Sequence, residues 1–283
     1  MKKIAILTDS SSAIYTIKHD FDNLFMIDLP CFLGEEVFTD FSKNKNEVFY
    51  KALEATEFIP KTSQPSVGET LEWFERIRDK GYTDVIYMPI SKELSSTYAN
   101  GFMAKDMVEG INVEIVDTLT TVSVLAEMAM LGAKLAKEGK DVSEIVEEVT
   151  SLRQNSGYFV TVSDLTALIK NGRLSNAAGF VANVLKIKPV IELQENGKIA
   201  SIEKVRTYKG AIKKMIDIVT ERFDPNKGVL HIGGTNRPED ITLVKELLKE
   251  VFPTAQMKVF SIPATIVAHV GMTSVAIGYV NFK

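Results

Sequence analysis

Chemistry in this chain starts with hydroxyls. Three short segments concentrate them: Thr8-Asp9-Ser10-Ser11-Ser12, Thr62-Ser63-Gln64-Pro65-Ser66, and Ser91 through Ser95-Ser96-Thr97-Tyr98. The first and third follow apolar, strand-like runs, and the second precedes a helical pattern beginning near Gly68. In an open α/β sheet, ligand groups gather at the carboxyl ends of strands, where backbone N–H groups and hydroxyls hold an anion. The plainer reading makes these Ser, Thr and Asp residues helix N-caps. Three clusters on one predicted sheet edge keep both readings open.

The other candidates are isolated. His269 stands in Ala268-His269-Val270-Gly271, inside a stretch from Val259 to Phe282 without Lys, Arg, Asp or Glu. A lone histidine there is either a satisfied core residue or a ligand group. Arg173 follows Gly172, where it caps helix carbonyls or faces a ligand. Gly233-Gly234-Thr235-Asn236 reads as a plain turn or an anion nest. Cys31, the one cysteine, has no nearby histidine and reads as a small buried residue.

Signatures of established chemistries are missing. The sequence has no G-x-x-x-x-G-K-[ST], G-x-G-x-x-G, H-E-x-x-H or G-x-S-x-G. Its three histidines lack the spacing of paired zinc ligands. No catalytic residue, metal or cofactor is therefore expected. With 33 Lys+Arg against 37 Asp+Glu, the net charge is 33 − 37 = −4. No basic stripe appears, which argues against nucleic acid. A single cysteine excludes an internal disulfide framework and fits a reducing compartment. The apolar start Ile4 to Leu7 stops at Thr8-Asp9, too short for a signal peptide. Pro263, His269, Gly271 and Asn281 break up the uncharged C-terminal stretch, so it reads as strand, short helix, strand rather than a membrane span. A cytoplasmic protein is expected.

The elements that must position these residues alternate. Lys3 to Leu7, Phe25 to Leu29, Asp84 to Met88 and Val113 to Val116 read as strands. Glu47 to Glu57, Gly68 to Lys80 and Ser96 to Glu109 repeat apolar residues at helical spacing. Leu119 to Glu138 is apolar on most faces, as a helix buried between layers would be. Val142 to Asn155 is amphipathic. A turn-forming cluster at Asn155 to Gly157 marks the predicted junction of two domains, 1–156 and 157–283. In the second, a strand at Tyr158 and a helix from Asp164 to Asn171 precede two strands around Asn196-Gly197, a hairpin signal. A helix from Tyr208, a strand at Gly228 to Ile232 and a helix opened by Pro238 follow. The expected fold is α/β: a mostly parallel layered sheet first, then a mixed sheet with helices.

In order along the chain, these segments resemble the DegV family. The resemblance rests on Thr8-Asp9-Ser10-Ser11-Ser12, Ile27-Asp28-Leu29-Pro30 with Asp40, Thr62-Ser63-Gln64-Pro65-Ser66, and Ile90-Ser91 through Leu94-Ser95-Ser96-Thr97-Tyr98. Asn171-Gly172-Arg173-Leu174-Ser175, Leu185-Lys186-Ile187-Lys188-Pro189 and His269-Val270-Gly271 complete it. The resemblance implies a two-domain carrier that holds one long-chain fatty acid between its domains. It implies a separate ATP-binding fatty acid kinase subunit as partner, which phosphorylates the bound carboxylate for phospholipid synthesis. Transient membrane contact for ligand exchange is a further expectation. By motif, Thr62 and Ser95 would bind the carboxylate, with His269 beside it and Ser63 in the same loop. Arg173 and Arg206 would be supporting or partner-facing. Two departures stand out: Ala13 replaces a usual acidic residue, and Met272-Thr273 replace a Pro-Gly-like pair.

The physics is consistent with such a ligand. A carboxylate held without a Lys or Arg salt bridge needs several directed donors. About fourteen buried methylenes at roughly 0.8 kcal/mol each give about 10 kcal/mol gross, before ordering and association costs. The apolar Leu119 helix and the uncharged C-terminal segment would then wall a tunnel. The competing reading is a hydrolase or transferase acting on a phosphorylated small molecule, and a third is a regulatory or structural binding protein.

Overall fold

The computed structural model describes residues 2–39, 41, 45–177, 187–235 and 237–283. Asp40, Leu185, Lys186 and Asn236 of the motifs above lie outside these residues. In chain order the elements are β1 (Ile4–Asp9), β2 (Leu24–Ile27), β3 (Cys31–Leu33), β4 (Glu36–Phe38), α1 (Lys45–Glu54), β5 (Lys61–Thr62), α2 (Val67–Asp79) and β6 (Asp84–Met88). Then come α3 (Thr97–Lys105), β7 (Asn112–Ile115), α4 (Val122–Lys137), α5 (Val142–Gln154), β8 (Ser156–Val162), α6 (Thr166–Lys170), β9 (Lys188–Leu193) and β10 (Ile199–Val205). The chain closes with α7 (Tyr208–Arg222), β11 (Gly228–Gly234), α8 (Pro238–Val251), β12 (Gln256–Ser261), α9 (Ala264–Val270) and β13 (Ser274–Asn281).

The first sheet has the order β2-β1-β6-β7, and every pair in it is parallel. Both of its faces are covered, which is why its strands are nearly all apolar. Ala5 and Leu7 of β1 pack with Phe74, Ile77 and Ala104 of α2 and α3. Ile4 and Ile6, pointing the other way, pack with Leu125, Met128 and Ala129 of α4. A Cβ on Gly132 would lie 3.0 Å from Met88 Cε and 3.2 Å from Ile6 Cδ1, so the glycine lets α4 press against β1 and β6.

The second sheet is mixed, in the order β10-β9-β8-β13-β11-β12, with β11 and β12 parallel and the other pairs antiparallel. Phe159, Leu230, Ile232 and Ile277 face α7 and α8. Val160, Ile191 and Ala276 face the other way and share one apolar cluster with Ile6, Met88 and Leu125. The α/β expectation holds in both sheets, and α4 lies between them. Glu127, buried in the middle of α4, meets His231 Nε2 at 2.9 Å and Lys258 Nζ at 2.5 Å, linking the helix to β11 and β12.

Two features depart from the sequence reading. The small antiparallel sheet β4-β3-β5 had no sequence signal, because β5 is two residues long and shows no period. The helix expected from Leu119 starts at Val122. Leu119 (φ 51°) and Val122 (φ 53°) both adopt left-handed backbone, a state uncommon for any non-glycine residue and most unusual for the β-branched Val122. Ala13 is left-handed as well (φ 58°) and gives the 3-10 turn Ile14–Thr16 no side-chain cap.

Candidate functional site

All four strands of the first sheet send their carboxyl ends to one place. Ser11 follows β1, Leu29 follows β2, Ile90, Leu94 and Ser95 follow β6, and Thr121 and Val122 follow β7; all line a cavity between the two sheets. Tyr158, Val160, Ile191 and Leu193 form its opposite wall, and α9 contributes Thr265, Ile266, His269 and Val270. It is narrow: the centre of a water molecule can range over about 70 Å³ within it. Its walls are mostly apolar, and Thr62, Ser63, Ser95, Arg173 and His269 are among its polar lining.

Of α4, only Val122 reaches the cavity. Most of its other buried residues pack against β1, β8, β13 and α5, so the helix expected from Leu119 walls the cavity only at its start, with Thr121 and Val122.

Thr62 is delivered by the small sheet. Cys31 pairs with both Phe38 and Thr62, and Ser63 N donates to Pro30 O at 3.1 Å. The same loop ends on Ser66, which caps α2 in a reciprocal pair with Glu69. His269 comes from the last turn of α9. Asn46 Oδ1 accepts from Ala264 N at 3.1 Å, and the Tyr50 hydroxyl donates to Ile262 O, so α1 holds the start of that helix. Gly271, at φ 77°, ends it, and the Ser274 hydroxyl lies 2.9 Å from both Val270 O and Gly271 O.

These placements bring Thr62 Oγ1 to 2.8 Å from His269 Nε2, across 207 residues. His269 Nδ1 lies 3.2 Å from Asn171 Nδ2, which also donates to Pro60 O at 3.1 Å. Burial holds the imidazole down at about 4, and the Arg173 guanidinium adds to the effect. At neutral pH the ring is uncharged. Ser95 Oγ lies 2.8 Å from Thr97 Oγ1 and accepts from Thr97 N at 3.3 Å. Arg173 donates from Nε to Leu94 O and from Nη1 to Asn171 O. Arg206 is exposed beyond β10 and is not part of the cavity lining.

The first serine cluster does different work. Asp9 Oδ1 accepts from Ser11 N at 2.9 Å and Ser11 Oγ at 2.5 Å, and Oδ2 accepts from Ile90 N at 2.6 Å. Ser10 Oγ accepts from Leu29 N, and Ser12 Oγ from Ile14 N. These groups staple the ends of β1, β2 and β6 together, and only Ser11 borders the cavity. Burial pushes the Asp9 carboxyl up to about 6, against the hydrogen bonds it accepts. Gly233 and Gly234 are paired within β11 to β12 and β13, and a Cβ on Gly233 would run into the Phe260 ring and one on Gly234 into Ile241, so both serve close packing. Thr235 Oγ1 is bonded to Met272 O. Cys31 is fully buried in β3.

Sequence reasoning missed three residues at the site. Asn171 sits in a motif that suggested only Arg173. Tyr158 Oη and Thr265 Oγ1 are buried with no hydrogen-bond partner among the described residues, although both residues line the cavity. Thr265 is one helical turn from His269, a spacing that would have pointed to it.

A family model described as "Uncharacterised protein, DegV family" matches residues 3–281. A DegV domain-containing protein of Staphylococcus aureus (strain N315) is 32% identical, over 99% of this chain and 98% of its own length. The fatty acid binding DegV family protein of Streptococcus agalactiae superposes with a TM-score of 0.91 at 26% identity, each chain covered 100%. The Streptococcus pneumoniae fatty acid kinase B3 protein, loaded with linoleic acid, superposes at 0.85 with 20% identity, over 99% of this chain and 100% of the other. That last similarity is one of fold.

Proposed function

The chain belongs to the DegV family, and from that premise we propose that it holds one long-chain fatty acid in the cavity between its two sheets. In this reading Thr62, Ser63 and Ser95 receive the carboxylate, with His269 beside them, and the acyl chain runs between the apolar walls. The observation that carries it is the cavity itself, narrow and apolar, with the Thr62–His269 pair on its lining. The fatty acid binding of the Streptococcus agalactiae relative supports the same assignment.

The protein then works in the cytoplasm as a carrier without turnover of its own, presenting the carboxylate to an ATP-binding kinase subunit for acyl phosphate formation. The name of the pneumococcal neighbour supports that partner. The neutral imidazole of His269 suits the task, since it adds no positive charge of its own against the carboxylate that attacks phosphorus. Arg173 and Arg206 have supporting or partner-facing roles. The division into residues 1–156, carrying the ligand loops, and 157–283, carrying the covering helices α6 and α9, belongs to this reading. Among the described residues, no helix is long and apolar enough to cross a membrane, and exchange of the lipid would take place by transient contact with one.

The test is organic extraction of the purified protein followed by lipid mass spectrometry, with titration of palmitate or oleate into the delipidated protein. One bound acid per chain is expected, and acyl phosphate should form from ATP only when a kinase subunit is added. No acyl species together with no binding of added acid would overturn the reading.

A further inference from the structure

The Asn171 amide faces two acceptor positions at once. Its Nδ2 lies 3.1 Å from Pro60 O and 3.2 Å from His269 Nδ1. A backbone carbonyl only accepts, so the atom facing Pro60 O is the amide nitrogen with its two hydrogens. One hydrogen is spent on Pro60. The other points at His269 Nδ1, and a donor cannot be met by a second N–H, so Nδ1 carries no proton. A neutral imidazole has one N–H, which is left at Nε2, 2.8 Å from Thr62 Oγ1.

We propose that Asn171 is a positioning residue that sets the tautomer of His269 and thereby turns the Thr62 hydroxyl proton into the cavity. His269 Nε2–H donates to Thr62 Oγ1, which frees the threonine's own hydrogen for an acceptor. The donor chain runs one way, from Asn171 through His269 and Thr62 to the ligand. The opposite tautomer would draw the Thr62 proton onto Nε2 and leave only oxygen lone pairs toward a carboxylate, which is acceptor-only when ionised. Chained hydrogen bonds of this kind polarise one another. Burial and Arg173 keep the imidazole neutral, which the scheme requires.

The placement of Asn171 is built in. It ends α6, where its N–H bonds Ala167 O at 2.9 Å, and its own carbonyl accepts from Arg173 Nη1 at 2.6 Å. Its side chain joins the loop before β5 to α9, so the tautomer is set only when both parts are in place. The step from this chain to a carboxylate rests on the lipid reading above; the location of the proton does not.

The experiment is long-range 1H–15N spectroscopy of the 15N-histidine-labelled full chain, whose three histidines are assigned by single His→Gln substitutions. The wild type should show His269 Nε2 protonated and Nδ1 bare. Asn171→Asp replaces a donor with an acceptor, so the proton should move to Nδ1 and palmitate binding should weaken by about ten- to a hundredfold. Nδ1 protonated in the wild type, or an unchanged pattern and affinity in Asn171→Asp, would overturn the proposal. The wild-type spectrum decides even if the variant does not fold. Failure of the lipid reading would show separately, as no palmitate binding by the wild type.

Discussion

Arg173 Nε donates to the Leu94 carbonyl oxygen at 2.7 Å, and this bond joins the loop after α6 to the loop that carries Ser95. Two of the guanidinium's nitrogens are thus engaged with backbone carbonyls, while the side chain still borders the cavity. Its second bond, from Nη1 to Asn171 O, follows the left-handed Gly172 (φ 67°) that ends the helix. A buried carboxylate beside this guanidinium would be oriented by its field while hydroxyls make the contacts.

Arg173→Ala should therefore act twice. Losing the Leu94 bond loosens the Ser95 loop and weakens palmitate binding by roughly tenfold, the worth of one charge-assisted hydrogen bond. Losing the nearby charge lets the His269 imidazole rise from about 4 toward its ordinary 6.5. Calorimetric titration and an NMR pH titration of the His269 ring measure the two effects. An unchanged ring titration would mean that burial alone sets it.

His269 and Asp9 give opposite pH dependences. The folded value of His269, about 4, lies below 6.5, so the unfolded chain takes up the proton first on acidification. Its contribution to stability is complete above about pH 6.5 and is lost as pH falls toward 4. Asp9 titrates near 6 in the fold against 3.8 ordinarily, so the native state holds that proton more tightly. Its contribution is complete below about pH 4 and is lost as pH rises through 6. The two slopes oppose each other in the wild type, so the comparison must be with His269→Gln. In urea unfolding, the advantage of the wild type over that variant should shrink as pH drops from 6.5 to 4. A constant difference would contradict a neutral, buried ring.

Tyr158→Phe should stabilise the protein or leave it unchanged, and should tighten binding of a saturated acid. The phenol oxygen is buried without a partner among the described residues, and such an atom costs about 1–3 kcal/mol. Burial also pushes its ionisation far above the ordinary range, so it remains a neutral hydroxyl. Thermal unfolding and palmitate titration test this. A loss above about 1 kcal/mol would show that the hydroxyl is hydrogen-bonded in solution.

The sequence by itself determined the strands and helices that are long enough to show a period. Asp84–Met88 reads as a doubly covered strand and is one, and the uncharged C-terminal stretch reads as strand, helix, strand and folds as β12, α9 and β13. It also singled out the hydroxyl-rich loops of Thr62 and Ser95, both of which line the cavity, because clustered hydroxyls at the ends of elements are a local feature. It gave no means of separating those loops from Ser10 and Ser12, whose hydroxyls are consumed by Leu29 N and Ile14 N. Nor did it foresee the two-residue β5 or the contact of Asn171 with His269, and it was the family resemblance, not period or spacing, that set His269 beside Thr62. Hydrophobic period records which side of an element is buried, not what lies opposite. The partner of a hydroxyl 207 residues away is decided only when α4 packs between the two sheets and the loops at their edges come within hydrogen-bonding reach.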